Sequence, residues 1–313
     1  MEPSRLDAFH DMSRGVDYGQ AMQALLSEFR QGEISKKGLA DAGRGPDSPL
    51  GSIYEAWDRA FPRFPKRPWL QQSVSWLHYR GIRDAYLKQL TVSHISEQRN
   101  GSRLIVNPVA IFGRHARWLA RALPDYEVIG SDIQTKWDRL YRLVSFWKYP
   151  GLKNYRFVHE NIYEPDTSRR PVAVVFWGAC GSLTDAAMDY AIAVNAPFLI
   201  FRACCHDNIG HNIRTAKRLS LLSLLFAAKS IVMSGHKRRK TGFYFSDRYG
   251  RSDYPRSSMA KELLDSSDMI TAARNSVESD ICRSLIDLDR CLYLKENGYD
   301  VLYREELFFA HRR

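Results

Sequence analysis

With 313 residues, 44% of them hydrophobic and 26% charged, the chain has an ordinary globular composition, long enough for one large domain or a domain with an added module. Its longest apolar stretch, Leu219 to Ala228, is too short to cross a bilayer and is interrupted by Ser220 and Ser223, which excludes a membrane-spanning helix. The five cysteines are an odd number, which argues for reduced thiols, and the net charge of +11 fits either a solvated basic surface or an acidic partner such as nucleic acid.

The amino-terminal stretch carries Glu2, Asp7 and Asp11 and no apolar segment, so no targeting peptide is expected and the expected location is the cytoplasm. Tyr18, Met22, Leu25, Leu26 and Phe29 fall at helical spacing and predict an amphipathic helix. Residues 38 to 51, rich in Gly, Asp, Pro and Ser, read as a loop, and Ile53, Trp57 and Phe61 predict a short helix ended by Pro62. A longer helix is expected from Trp69 to Leu90. From Arg103 the pattern alternates between strands and helices, which predicts a parallel sheet. Strands are expected at Leu104 to Val106, Tyr126 to Gly130, Tyr155 to His159, Val172 to Trp177, Phe198 to Phe201 and Lys229 to Met233. Helices are expected at Arg114 to Leu123, Lys136 to Trp147, after Ser182, at Asn208 to Ala228 and at Ser279 to Asn297, with a single final strand over Tyr299 to Phe309. The division is thus a helical extension over 1–100 and an α/β domain over 101–313.

Parallel strands bring their carboxyl ends to one edge, where open α/β sheets bind ligands. Asp132, just past the second strand, is placed to accept both hydroxyl protons of a ribose, or to cap the helix that follows. The loop before it, residues 107 to 114, holds a single glycine, Gly113, where a nucleotide loop wants several. The fourth and fifth strands run into two polar turns, Gly178-Ala179-Cys180-Gly181 and Cys204-Cys205-His206-Asp207. Cys180, Cys204, Cys205 and His206 carry zinc-compatible ligand types, but adjacent cysteines are poor ligand spacing, so no metal is expected. Further on, Lys237, Arg238, Arg239 and Lys240 precede a segment that interleaves Phe243, Tyr244, Phe245, Tyr249 and Tyr254 with arginines. Such a mixture, with Arg202 upstream, can grip phosphates and stack bases; the alternative is a solvated loop with packed aromatics.

The element order, the string ALPDYEVIGSDI (122–133), and the pair GACGSLTDAAMDYAI and APFLIFRACCH resemble class I S-adenosylmethionine-dependent methyltransferases. The resemblance is to the branch containing tRNA ribose 2′-O-methyltransferases and related methyltransferase-like proteins with a Cys-Cys-His element, and it covers about residues 103 to 313. It implies a Rossmann-like α/β sheet preceded by the helical extension, with S-adenosylmethionine as cofactor. Gly113, Asp132, Ile133, Asn161, Ile162, Gly178 and Ala179 would face the cofactor, and His206, Asp185 and Cys180 would serve the transfer. Thr184 and Asp185 would hold the turn or reach the substrate. Arg202 and Lys237 to Lys240 would bind RNA. Four positions depart from the family: Asn107 replaces an acidic residue, Val109 and Ile111 replace glycines, and Gly178 replaces a histidine. The expected function is methylation of RNA, plausibly tRNA. The alternatives are a catalytically decayed fold that binds RNA or protein, and a small-molecule methyltransferase.

Overall fold

The computed structural model describes residues 5–30, 48–61, 76–97, 101–110, 113–133, 151–180, 182–204, 255–264, 276–304 and 306–313. The predicted helices over 136–147 and 208–228 and the predicted strand over 229–233 lie outside these residues. Short runs of β-branched and aromatic residues build β1 (Leu104–Pro108), β2 (Glu127–Asp132), β3 (Tyr155–His159), β4 (Ala173–Cys180) and β5 (Phe198–Cys204). The sheet is completed by β6 (Tyr299–Arg304) and β7 (Leu307–Arg312) in the order β3-β2-β1-β4-β5-β7-β6. The first five strands are parallel, while β7 runs antiparallel to both β5 and β6.

The expected single final strand is a hairpin instead. Glu306, at φ +72°, makes the reversal. The surrounding residues, Tyr303 to Phe308, include no Gly, Asn, Asp or Pro, so the turn leaves no mark in residue type.

Helix α5 (Arg114–Ala122) connects β1 to β2, and α6 (Ser182–Ala193) connects β4 to β5. The central strands are buried on both faces: Ile105, Val106, Val128, Ile129 and Val174 have no solvent exposure. Gly130 on β2 lets α5 approach closely. A Cβ there would lie 3.2 Å from the Ala116 Cβ, 3.2 Å from the Tyr155 hydroxyl and 3.3 Å from the Ala110 Cβ.

The amino-terminal helices α1 (Arg5–Arg14), α2 (Tyr18–Arg30) and α3 (Gly51–Ala60) share the core of the sheet. Phe9 and Phe61 pack edge-on to Phe309 at 5.0 and 5.1 Å between ring centroids. The Tyr18 hydroxyl donates to the Val301 carbonyl at 2.9 Å, and Arg304 reaches the Tyr54 carbonyl at 3.2 Å and pairs with Asp58. The predicted stripe on α2 is buried at Tyr18, Met22, Leu25 and Leu26. It packs on the short helix α7 (Ser258–Leu263) and on the late helix α8 (Ser276–Glu296), which precedes β6. The longer helix α4 spans Trp76–Ser96 and runs past the predicted end at Leu90, while residues 69–75 lie outside the described residues. No helix among the described residues is long and apolar enough to cross a membrane.

A titratable cluster fastens α1 to the hairpin. His10 Nδ1 lies 2.6 Å from the Asp300 carboxylate, His311 Nδ1 lies 2.9 Å from His10 Nε2, and Arg313 pairs with Asp300. Burial and then the neighbouring His10 push the His311 pKa from 6.5 down to about 4. The unfolded chain therefore takes up a proton that the folded chain refuses. His311 leaves stability intact above about pH 6.5 and erodes it as the pH falls toward 4. The unfolding midpoint of the wild-type chain is expected to drop across that window, and the drop should be shallower in His311→Gln. Equal slopes for the two proteins in a pH series of thermal melts would contradict this assignment.

Candidate functional site

The sheet reverses its winding between β1 and β4, the switch point where open α/β sheets form a ligand crevice. Backbone pairing across that seam covers two residue pairs, Ile105 with Ala173 and Val106 with Val174. Beyond it the Asn107 side-chain amide donates to the Val175 carbonyl at 2.5 Å, and only 3% of Asn107 is exposed. Asn107 thus stitches the two strands together just below the point where they part.

The loop leaving β1 has a glycine-like shape with few glycines. Val109 sits at φ +55° and Gly113, which caps α5, at φ +63°. The Ala110 amide donates to the Ser131 carbonyl of β2 at 2.9 Å, and the Gly113 amide donates to the Ala110 carbonyl at 2.7 Å. The left-handed region costs an L-residue about 1–2 kcal/mol, more so for a β-branched one. Strain of this kind persists where surrounding structure fixes it, and it concentrates at ligand sites. At most positions alanine is more stable than glycine by about 0.5–1 kcal/mol. At residue 109 the order should invert, with Val109→Gly more stable than Val109→Ala by about 1 kcal/mol in urea denaturation. The usual order would show that this backbone is unstrained.

Asp132 and Ile133 end β2. Asp132 is half-buried and pairs in register with His159 of β3, and its carbonyl accepts from the Glu160 amide at 3.2 Å. Ile133 is 43% exposed and Tyr163, on the loop after β3, is 37% exposed, so two large apolar side chains stand open near Asp132. Asn161 folds its own turn: its side-chain oxygen accepts from the Tyr163 amide at 3.3 Å and its carbonyl from Glu164 at 2.9 Å. Ile162 is partly buried against the core.

That loop is anchored by Glu160. Its buried carboxylate accepts from Arg169 at 2.9 Å and from the Tyr190 hydroxyl of α6 at 3.3 Å. Burial and the Glu160 charge hold the Tyr190 pKa well above its ordinary value. No motif or periodicity in the sequence singles out Glu160. Its partners, Arg169 and Tyr190, have no local spacing that would reveal the network.

On β4 the register to β5 slips between Trp177, opposite Arg202, and Cys180, opposite Cys204. Three steps on β4 match two on β5, so Gly178 and Ala179 form a β-bulge. Thr184 pins it by donating its hydroxyl to the Ala179 carbonyl at 2.5 Å. Asp185, one residue on, is buried and tied elsewhere: Arg290 Nε donates to its carboxylate at 2.9 Å, and Arg256 lies 3.8 Å away. Arg202, expected on a basic surface, is 7% exposed. His206 and Lys237 to Lys240 lie outside the described residues. Among the described residues no group of three potential ligands could hold a metal ion.

No family model matches the chain, and no curated protein matches it in sequence. Among solved structures it is similar to a magnesium protoporphyrin IX methyltransferase from Synechocystis PCC 6803, at 15% identity over 77% of this chain and 89% of that one, with a TM-score of 0.36. It is similar to an antibiotic-resistance methyltransferase at 16% identity over 77% of this chain and 95% of that one, with a TM-score of 0.35. A plantazolicin methyltransferase matches at 13% identity over 92% of this chain and 99% of that one, also with a TM-score of 0.35. The fold assignment rests on this chain's own strands. A seven-stranded sheet in this order, with β7 reversed, is a Rossmann-like class I methyltransferase fold.

Proposed function

We propose that the chain is an S-adenosylmethionine-dependent methyltransferase acting on RNA, with a ribose hydroxyl or a base of tRNA as the expected acceptor. The observation that carries this reading is the crevice at the β1/β4 switch, with Asp132 at the adjoining strand end. The residues fit the cofactor: a carboxylate suits a ribose diol, and the open Ile133 and Tyr163 side chains suit the faces of an adenine. When bound, the cofactor supplies a methyl group on a cationic sulfur, which an acceptor lone pair displaces as the acceptor sheds a proton.

The chain's own contribution is positioning. The strained β1–α5 loop and the Glu160 network set the crevice walls, and the Gly178–Ala179 bulge sets its floor, next to Cys180. Asp185, held by Arg290, is a positioning group that fixes α6 beneath the bulge. His206 follows β5 closely in sequence and is the candidate base. The net charge of +11 and the basic run from Lys237 to Lys240 support an RNA acceptor.

The test is transfer of a tritiated methyl group from S-adenosylmethionine to bulk tRNA, followed by digestion to nucleosides. Label in a methylated nucleoside is the expected result. A chain that binds the cofactor and labels no RNA would overturn the choice of acceptor. Asn107 favours a second reading, a decayed enzyme that retains RNA binding. Its amide is spent on the Val175 carbonyl at a position where the family carries an acid. Salt-dependent tRNA binding without cofactor binding is the signature of that state.

A further inference from the structure

On the side of the crevice away from Asp132, two aromatic rings leave polar atoms without partners. Trp177 of β4 stacks on His115, in the first turn of α5, at 5.0 Å between centroids and 28° between planes. Trp177 is 8% exposed, and neither its indole Nε1 nor the His115 Nδ1 has a hydrogen-bond partner, although both atoms are buried. Orphaned buried polar atoms are rare, and two on stacked rings are a reason to look for a ligand. Trp118 meets Trp177 edge-on at 6.4 Å, and Lys88 lies over Trp118 at 5.1 Å. Arg202 is the register neighbour of Trp177 on β5.

The surroundings are cationic. Burial, then Lys88, Arg114 and Arg202, push the His115 pKa down to about 3, so the ring is neutral at physiological pH. A neutral ring and an indole N–H among three cations present a field that suits an acceptor-rich, negatively charged oxygen. The amino-terminal end of α5 adds to the same sign of potential. Trp177 lies on β4, next to β5 and beyond β1 from Asp132, with His115 stacked on it from α5, so the pair borders the acceptor's side of the crevice.

We propose that the His115–Trp177 pair is an oxyanion subsite for the methyl acceptor, holding a carboxylate or phosphate oxygen between the indole N–H and the imidazole in its Nδ1–H tautomer. This rests on the methyltransferase reading above. The rings now cover each other, so the oxyanion enters as His115 rotates off the indole. Unstacking one ring pair costs less than two hydrogen bonds to a charged oxygen return.

The test uses the full chain with 15N-labelled tryptophan indoles, the Trp177 signal being identified by its loss in Trp177→Phe. Inorganic phosphate and acetate are titrated separately at constant ionic strength. A saturable downfield shift of the Trp177 signal, with affinity reduced about tenfold in His115→Phe, is expected. Phosphate giving the stronger response names a phosphorylated acceptor, and acetate a carboxylate one. No saturable shift with either anion overturns the subsite. The same shift produced by S-adenosylhomocysteine alone assigns the oxyanion to the cofactor and overturns the acceptor role. A chain that takes phosphate at Trp177 yet binds no S-adenosylhomocysteine keeps the oxyanion site and loses the methyl-transfer reading.

Discussion

Replacing Asp132 by alanine is expected to lower the affinity for S-adenosylmethionine by about 10²- to 10³-fold. A carboxylate that accepts from both hydroxyls of a ribose makes two hydrogen bonds to a charged group, each contributing roughly 1.5–3 kcal/mol. The loss of both gives a few kcal/mol, and each 1.4 kcal/mol is a factor of ten. Asp132 ends β2 half-buried, with its backbone held by the ladder to β3 and by the Glu160 amide. The fold should therefore survive, and the unfolding midpoint should stay near that of the wild type. Asp132→Asn keeps one acceptor oxygen and should fall between the two. Calorimetric titration of the three proteins checks the series, and unchanged affinity in Asp132→Ala would remove the ribose role.

The largest effect on stability is expected at Arg290, which is fully buried on α8. Its Nε donates to Asp185 at 2.9 Å and its Nη1 to Asp287 at 3.0 Å, while the Tyr303 hydroxyl donates to the other Asp287 oxygen at 3.1 Å. Asp185 and Asp287 are themselves buried, so Arg290→Leu takes a cation away from two buried carboxylates. Removing one partner of a buried ion pair typically costs 3–5 kcal/mol. The variant should regain part of that loss as the pH falls, because protonation neutralises a buried charge that has lost its cation. The triple replacement Asp185→Leu, Asp287→Leu, Arg290→Met removes these three charges, while Arg256 keeps its pairing with Asp189, and should come close to wild-type stability. Denaturant melts at neutral and mildly acidic pH test both points. An Arg290→Leu chain as stable as the wild type would show that the network contributes nothing net.

The network also explains why the carboxyl edge keeps its shape. Asp185 follows Thr184, whose hydroxyl pins the Ala179 carbonyl, so one short turn couples the bulge on β4 to the core beneath α8. A role for Asp185 in holding the turn or serving the transfer was legible through the family resemblance. That Arg290 and Arg256 bind it was not, because their spacing in the chain has no period to read.

The strands that frame the crevice were legible because parallel strands buried on both faces are short unbroken apolar runs, as at Val172 to Trp177 and Phe198 to Phe201. The position of Asp132 followed from the same pattern. The hairpin at Glu306 was hidden, since a non-glycine residue there adopts φ +72° without a turn residue beside it. Val109 was hidden in the same way. A β-branched residue argues against the left-handed conformation, and only the hydrogen bond from Ala110 to Ser131 shows what holds it there. The β-bulge at Gly178 and Ala179 depends on the pairing of β4 with β5, and the His115–Trp177 stack on the docking of α5. Both are products of packing between distant parts of the chain.

A structure of the full chain grown with S-adenosylhomocysteine tests the central claim most directly. The account predicts the nucleoside in the β1/β4 crevice, with its ribose hydroxyls on the Asp132 carboxylate and its adenine between Ile133 and Tyr163. A crevice without the ligand at saturating concentration, or the ligand bound at any other place on the sheet, would contradict it.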